Sequence, residues 1–203
     1  MSQHVDYYVS LNSPWTHFGA SRLLDIAERH GATVRIHPVD FGTVFAGSGG
    51  LPLPKRSPQR QAYRLQELER WRKHLNIPIS LRPRFFPANE VFSASCVLAV
   101  RETIGDRPAI ALAHRILKAL WEEESDTGDR TTLAKLMGDV GLDPSVIISQ
   151  ADDERWAELR RAETEAALVR GVFGAPSYVV RNEVFWGQDR LEFLDRHLGT
   201  TSA

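Results

Sequence analysis

Residues 5–20 read VDYYVSLNSPWTHFGA, an apolar stretch that leads through a Ser-Pro pair into a helical pattern. The segment Val5–Leu11 is rich in Val and Tyr, which is typical of a buried strand. Ser13 is a favourable N-cap residue and Pro14 a favourable first helical residue, so a helix is expected from Pro14 to about His30. The stretch therefore predicts a strand that enters a helix directly at Ser13.

The residues that follow predict a strand and then a long helical region. Thr33 to Val39 alternates apolar and polar residues, and a strand there would make a parallel crossover with the first strand. Residues 41–58 are dense in Gly and Pro and are expected to lack regular structure. An extended, Pro-rich connection is expected at 77–89. Helices are predicted at Gln59 to Asn76, Ser93 to Ile104, Ala109 to Glu124, Arg130 to Met137, Pro144 to Ala151 and Asp153 to Arg170.

The α/β pattern resumes at residues 171–198, GVFGAPSYVVRNEVFWGQDRLEFLDRHL. This segment predicts strands at Ser177 to Arg181 and Glu183 to Trp186, followed by a final helix from about Gln188. Two α/β segments thus flank a helical stretch. We expect one discontinuous α/β domain, residues 1–55 and 171–203, with an inserted helical domain at 56–170.

Composition narrows the classes of function. The 203 residues include 25 basic and 26 acidic side chains, a balance that argues against a general nucleic-acid or membrane-surface role. Cys96 is the single cysteine, so no intramolecular disulfide can form. No apolar run is long enough for a transmembrane helix, and the N-terminus lacks the pattern of a signal peptide. The cytoplasm is therefore the expected location.

The first candidate site is the strand-to-helix junction. A helix N-terminus presents free N–H groups and a positive dipole end, which stabilise an anion such as a thiolate. Thioredoxin-like proteins carry a Cys-x-x-Cys pair at this junction, and the same positions here hold Ser13 and Thr16. Taken alone, a Ser-Pro pair is more often only a helix cap.

Two further motifs lie near the C-terminus. Thioredoxin folds keep a cis-proline that faces the active-site helix, and Ala175-Pro176 precedes a strand at the matching end of this chain. The residue before such a proline offers its backbone to a bound peptide, although a trans turn proline is the commoner structure. Asp189, at the start of the last helix, either complements the helix dipole or pairs with the ammonium group of a ligand.

Several segments resemble 2-hydroxychromene-2-carboxylate isomerases, DsbA-like proteins close to kappa-class glutathione transferases. They are SPWTHFG (13–19), PQRQAYRLQELERW (58–71), RFFPAN (84–89) and above all residues 171–198. The resemblance covers nearly the whole chain. It implies a thioredoxin-like fold interrupted by a helical insertion. It also implies a homodimeric, glutathione-dependent isomerase that acts on an aromatic pyruvate substrate in aromatic catabolism.

The resemblance also implies roles for individual residues. Ser13 matches the serine whose hydroxyl activates the glutathione thiolate. Ala175 and Pro176 match the pair that holds the cysteinyl part of glutathione, and Arg60 falls where relatives carry a lysine near the glycine carboxylate. The segment that holds the γ-glutamyl end corresponds to Gln188, Asp189 and Arg190. Pocket-wall roles for the aromatic substrate are expected for Trp15, Asn89 and Trp186. His17, one turn past Ser13, is a further pocket candidate, with an ordinary helix position as an equal alternative.

Other functions remain open from the sequence. A kappa-like transferase or peroxidase would consume glutathione, and a non-catalytic module would bind glutathione or a peptide without turnover. A dithiol oxidoreductase is disfavoured because neither Ser13 nor Thr16 is a cysteine. No metal site is expected, because the spacing of the histidines does not match that of metal ligands. The histidines expected to be structural are His4, His30, His37, His74 and His197. Cys96 is expected to be a small buried residue, and the three glutamates at 122–124 are expected to form a solvated face.

Overall fold

A four-stranded mixed sheet lies at the centre of the protein, which a computed structural model describes over residues 3–200. The order is β2-β1-β3-β4, with β1 parallel to β2 and antiparallel to β3, and with β3 and β4 paired as an antiparallel hairpin. The strands are β1 (His4–Val9), β2 (Thr33–Pro38), β3 (Ser177–Val180) and β4 (Glu183–Trp186). The predicted parallel crossover and the two predicted C-terminal strands are confirmed.

Helix α1 connects β1 to β2, and a helical insertion separates β2 from β3. None of the helices in residues 3–200 is long and apolar enough to span a membrane. The helices described are α1 (Pro14–Arg29), α2 (Phe41–Ser48), α3 (Pro58–Leu75), α4 (Val91–Thr103), α5 (Asp106–Trp121), α6 (Arg130–Asp139), α7 (Pro144–Ala151), α8 (Arg155–Val169) and α9 (Leu191–Thr200).

The prediction that residues 41–58 lack regular structure is wrong, because α2 and a 3₁₀ turn at Leu53–Lys55 lie there. Asp40 caps α2 by accepting a hydrogen bond from the amide of Gly42 at 2.9 Å. Gly49 ends the helix in a left-handed conformation, φ 73°. The glycines and prolines therefore set the ends of short helices in this region.

The core covers both faces of the sheet. Successive residues of β1 point to opposite sides, as expected for a strand. Tyr7 belongs to the larger apolar cluster with residues of α1, α4 and α5, whereas Tyr8 packs in a second cluster with Val44 of α2 and Ala167 of α8. Burial on both faces explains why the strand is almost continuously apolar.

A buried charge network ties the insertion to the sheet. The fully buried Arg101 donates to both carboxylate oxygens of Glu163, at 2.6 and 3.0 Å. His37 lies between two carboxylates, 2.9 Å from Asp6 and 3.1 Å from Glu163. Burial alone would lower the pKa of His37, but hydrogen bonds to the two carboxylates outweigh it and raise the pKa. Burial alone would raise the pKa of Glu163, but hydrogen bonds from His37 and Arg101 lower it.

Candidate active site

The N-terminus of α1 is built as the sequence predicts. Ser13 has extended backbone angles, φ −82° and ψ 119°, and its hydroxyl oxygen accepts a hydrogen bond from the amide of Thr16 at 3.2 Å. Pro14 occupies the first helical position, where no backbone N–H is needed. The hydroxyl of Ser13 therefore lies at the positive end of the helix dipole.

The loop that precedes β3 faces this helix end. The Ala175–Pro176 bond is cis, as predicted. The Ser13 hydroxyl donates to the carbonyl oxygen of Ala175 at an Oγ–O distance of 3.4 Å. In residues 3–200 the Ala175 amide has no hydrogen-bond acceptor. The half-buried Ala175 thus offers a backbone donor and acceptor beside the Ser13 hydroxyl.

Two glycines let this loop approach its neighbours closely. A Cβ on Gly174 would lie 2.2 Å from Nε1 of Trp186, so any side chain there would displace the indole. Gly187 adopts φ 100°, and its amide donates to the carbonyl oxygen of Pro176 at 2.8 Å. The GVFGAP and FWG segments are therefore joined at the rim of the site.

The start of the last helical segment is a 3₁₀ turn over Gln188–Arg190. Gln188 is buried, and its side-chain oxygen accepts a hydrogen bond from Arg22 at 2.6 Å. Asp189 is about half exposed, with its carboxylate 3.7 Å from the guanidinium of Arg190. The Asp189 carboxylate is thus accessible to a cationic ligand group, whereas the Gln188 oxygen is already occupied.

A cavity of about 760 Å³ lies between α3 and these loops, a volume within the range for small-molecule sites. Its lining includes seven of the residues predicted for the site: Trp15, Arg60, Ala175, Trp186, Gln188, Asp189 and Arg190. Ser13 and Pro176 are not in the lining but flank it, since Ser13 is hydrogen-bonded to Ala175. The structure thus brings together most of the predicted residues. Their roles stay predictions.

His17 and Asn89 do not line this cavity. His17 is buried, and its Nε2 lies 2.8 Å from a carboxylate oxygen of Glu122. The expectation that Glu122 is only part of a solvated face is therefore wrong. Asn89 accepts a hydrogen bond from the amide of Val91 at the start of α4. Each residue thus has a hydrogen-bond partner outside the cavity, distant in sequence for His17 and local for Asn89.

Cys96 is fully buried, as expected, and burial raises the pKa of its thiol to about 12. The thiol therefore stays protonated at neutral pH. In the part of the chain from 3 to 200, no group of His, Cys, Asp and Glu residues has the arrangement of a metal site.

Three arginines on or near the start of α3 line the cavity, namely Arg56, Arg60 and Arg64. Of these, the family resemblance implies a role only for Arg60. Arg60 and Arg64 lie one turn apart on α3, and Trp71 follows on the same side. This i, i+4 spacing is the signal that could have found Arg64. The remaining cavity-lining residues not predicted are Phe45, Gly50, Leu51, Gln59, Tyr63, Glu67, Trp71, Phe173 and Gly187.

Comparison with known proteins places this geometry in a family. The model for the DSBA-like thioredoxin domain matches residues 4–199. A 2-hydroxychromene-2-carboxylate isomerase of Sphingobium xenophagum is 29% identical over 201 residues, covering 98% of this chain and 99% of that protein. One of Pseudomonas putida is also 29% identical, covering 96% and 94%.

A solved structure of a 2-hydroxychromene-2-carboxylate isomerase superimposes with a TM-score of 0.80 at 25% identity, covering 98% of this chain and 96% of that one. These matches extend along the whole chain and confirm the resemblance seen in the sequence. The chain belongs to the DSBA-like thioredoxin domain family and, within it, is similar over its full length to 2-hydroxychromene-2-carboxylate isomerases.

Proposed function

We propose that this protein is a glutathione-dependent isomerase of 2-hydroxychromene-2-carboxylate-like aromatic pyruvates. The observation that carries the proposal is the position of the Ser13 hydroxyl, at a helix N-terminus and 3.4 Å from the Ala175 carbonyl beside the cavity. The activity named for the relatives, an isomerisation of 2-hydroxychromene-2-carboxylate, supports it.

The residues at the site fit glutathione in chemical type. The amide of Ala175, which has no acceptor among residues 3–200, and the Ala175 carbonyl match the backbone of the cysteinyl residue, in short β-like pairing. The half-exposed carboxylate of Asp189 matches the γ-glutamyl ammonium group, and the Arg60 guanidinium matches the glycine carboxylate. All three residues line the same cavity.

When bound, glutathione would supply the thiolate for a reversible addition to the double bond of the aromatic pyruvate, which would allow rotation about that bond before the sulfur is eliminated. The protein's part is to bind, orient and keep the sulfur ionised. Pairing of a ligand N–H with the Ala175 carbonyl would free the Ser13 hydroxyl to donate a hydrogen bond to the ionised sulfur. Pro14 and the first turn of α1 contribute the dipole that favours the same anion.

The expected interaction energies are large enough to keep the sulfur of glutathione ionised. A thiol with a pKa of about 8.5 needs roughly 2.7 kcal/mol of preferential anion stabilisation to lose two pKa units. A hydrogen bond to a charged group contributes about 1.5–3 kcal/mol. A helix N-terminus adds about 0.3–2 kcal/mol. The Ser13 hydroxyl and α1 together therefore account for activation at neutral pH.

The proposal extends to the assembly and to the domain division. It includes a homodimer in the cytoplasm, and a thioredoxin-like domain of residues 1–55 and 171–203 with a helical domain at 56–170. Size-exclusion chromatography with light scattering measures the assembly directly, and a monomer at working concentration would remove the dimer from the proposal.

Stoichiometry tests the function. The protein is incubated with glutathione and a hydroxychromene carboxylate, and product and free thiol are followed together. Isomerisation with full recovery of thiol supports the proposal. Loss of thiol with an aryl halide or hydroperoxide, without isomerisation, would identify a transferase or peroxidase instead. Glutathione binding without turnover on any of these substrates would identify a binding module.

A further inference from the structure

Arg64 of α3 is a cation that borders the cavity. Its guanidinium lies in the cavity lining, with its central carbon 5.3 Å from the ring centre of Phe86 and 5.8 Å from that of Trp121. Throughout residues 3–200 it has no hydrogen-bond or ion-pair partner. A guanidinium carries five N–H donors in a fixed plane, and its contacts with aromatic faces leave those donors unused.

The cavity as a whole also carries more positive than negative side chains. Its lining contains four arginines and two carboxylates, Glu67 and Asp189. Glu67 is paired with Arg70, which lies outside the lining, and Asp189 is near Arg190. No carboxylate in the lining therefore neutralises Arg64. The cavity carries an excess of positive charge that favours an anionic ligand.

The partly dehydrated surroundings of Arg64 also favour the binding of an anion there. Burial, and then the charge of the neighbouring Arg56, lower the pKa of Arg64 to about 10. The group remains charged at neutral pH but has lost part of its hydration without gaining a partner. A bound carboxylate would replace the missing hydration with two parallel N–H···O hydrogen bonds.

The surroundings of Arg64 distinguish the aromatic substrate from glutathione. Phe86 and Trp121 belong to an apolar cluster that also includes Trp15 and Trp71, and these two tryptophans line the cavity. An aromatic acid matches this combination of ring surface and cation, whereas glutathione has no aromatic group. The exposed Arg60, one turn earlier on α3, remains for the tripeptide.

We propose that Arg64 is the residue that binds the carboxylate of the aromatic substrate and so selects for an acid at the aromatic end of the cavity. This inference rests on the proposed function for the identity of the substrate. A bidentate pair between a guanidinium and a carboxylate also fixes the orientation of the ring, because both groups are planar.

The test uses binding alone, so that it does not depend on turnover. The intact protein is saturated with S-methylglutathione, which cannot act as a nucleophile through its sulfur. Titration calorimetry then measures 3-phenylpropionate and its neutral analogue 3-phenylpropanamide. The wild type should prefer the carboxylate by about ten- to a hundredfold, the range of a charge-assisted pair. Arg64→Gln should abolish the preference, and Arg64→Lys should restore part of it.

Arg60→Gln is the matched control, one turn away on the same helix. It should weaken S-methylglutathione and keep the preference for the carboxylate, whereas Arg64→Gln should do the reverse. A preference that persists in Arg64→Gln, or none in the wild type, would overturn the proposal. So would an equal loss of S-methylglutathione affinity in both variants. Failure of the wild type to isomerise while it keeps an Arg64-dependent preference would contradict the proposed function and support this site.

Discussion

Replacement of Ser13 by alanine should raise the pKa of bound glutathione while leaving its affinity largely intact. The change removes the hydroxyl that lies 3.4 Å from the Ala175 carbonyl and leaves the Ala175 backbone, Arg60 and Asp189 in place. A hydrogen bond to a charged group is worth about 1.5–3 kcal/mol, and one pKa unit corresponds to about 1.4 kcal/mol. The thiol pKa should therefore rise by roughly one to two units.

The ultraviolet absorbance of the thiolate, followed against pH, measures this shift directly. Turnover at neutral pH should fall with the thiolate fraction, by about three- to twenty-fivefold, while calorimetry should show little change in glutathione affinity. The substitution also removes the N-cap of α1, which should lower the free energy of unfolding by about 0.5–2 kcal/mol. The thermal melt of the variant should fall accordingly.

A second cap variant separates catalysis from stability. Asp143 caps α7 and, like Ser13, precedes a proline at the first helical position. Asp143→Ala should lower the melting temperature without shifting the thiolate curve. If Ser13→Ala melts lower but titrates like the wild type, the hydroxyl does not act on the sulfur and the mechanism is refuted.

Asp189→Asn should raise the glutathione concentration at half-maximal rate by about ten- to a hundredfold. The rate should recover at saturating glutathione, because Asp189 contacts the ligand equally in the ground and transition states. A normal glutathione affinity in calorimetry would show that Asp189 has only a structural role. Gly174→Ala should abolish glutathione binding, because the new Cβ would lie 2.2 Å from Nε1 of Trp186 and displace this indole from the cavity wall. Unchanged tryptophan fluorescence and unchanged glutathione binding would refute the close packing. The pKa of Glu163 is lowered, so the contribution of Glu163 to stability should disappear as the pH falls through that pKa. The pKa of His37 is raised, so the contribution of His37 to stability should disappear as the pH rises through the His37 pKa. Glu163→Gln should lower the free energy of unfolding by about 3 kcal/mol or more and flatten its acid-side pH dependence, measured by denaturant unfolding; an unchanged pH profile would count against the network.

The elements with local signals could be predicted from the sequence. The Ser13 cap, the Pro14 position and the strand before them depend on residue types within a few positions of one another, and the structure has all three. The cis bond at Ala175–Pro176 could be predicted only through the family resemblance, since local sequence favours trans. Helix α2 could not be predicted, because its N-cap Asp40 and its C-cap Gly49 flank a segment whose glycines and prolines favour a loop.

Residues whose partners are distant in sequence could not be placed. His17 lies one turn from Ser13, but its environment depends on Glu122, 105 positions away. The burial of Arg64 against Phe86 and Trp121 likewise depends on how three separate segments pack. The α3 periodicity indicated which residues share a face but not that this face borders a cavity.

A crystal structure of the protein with glutathione would show whether the cavity holds the tripeptide as proposed. The sulfur should lie within hydrogen-bond distance of the Ser13 hydroxyl, with the cysteinyl backbone paired with the amide and carbonyl of Ala175. The γ-glutamyl ammonium group should lie at Asp189 and the glycine carboxylate toward Arg60. Glutathione bound elsewhere, or bound in this cavity with its sulfur away from Ser13, would contradict the proposed mechanism.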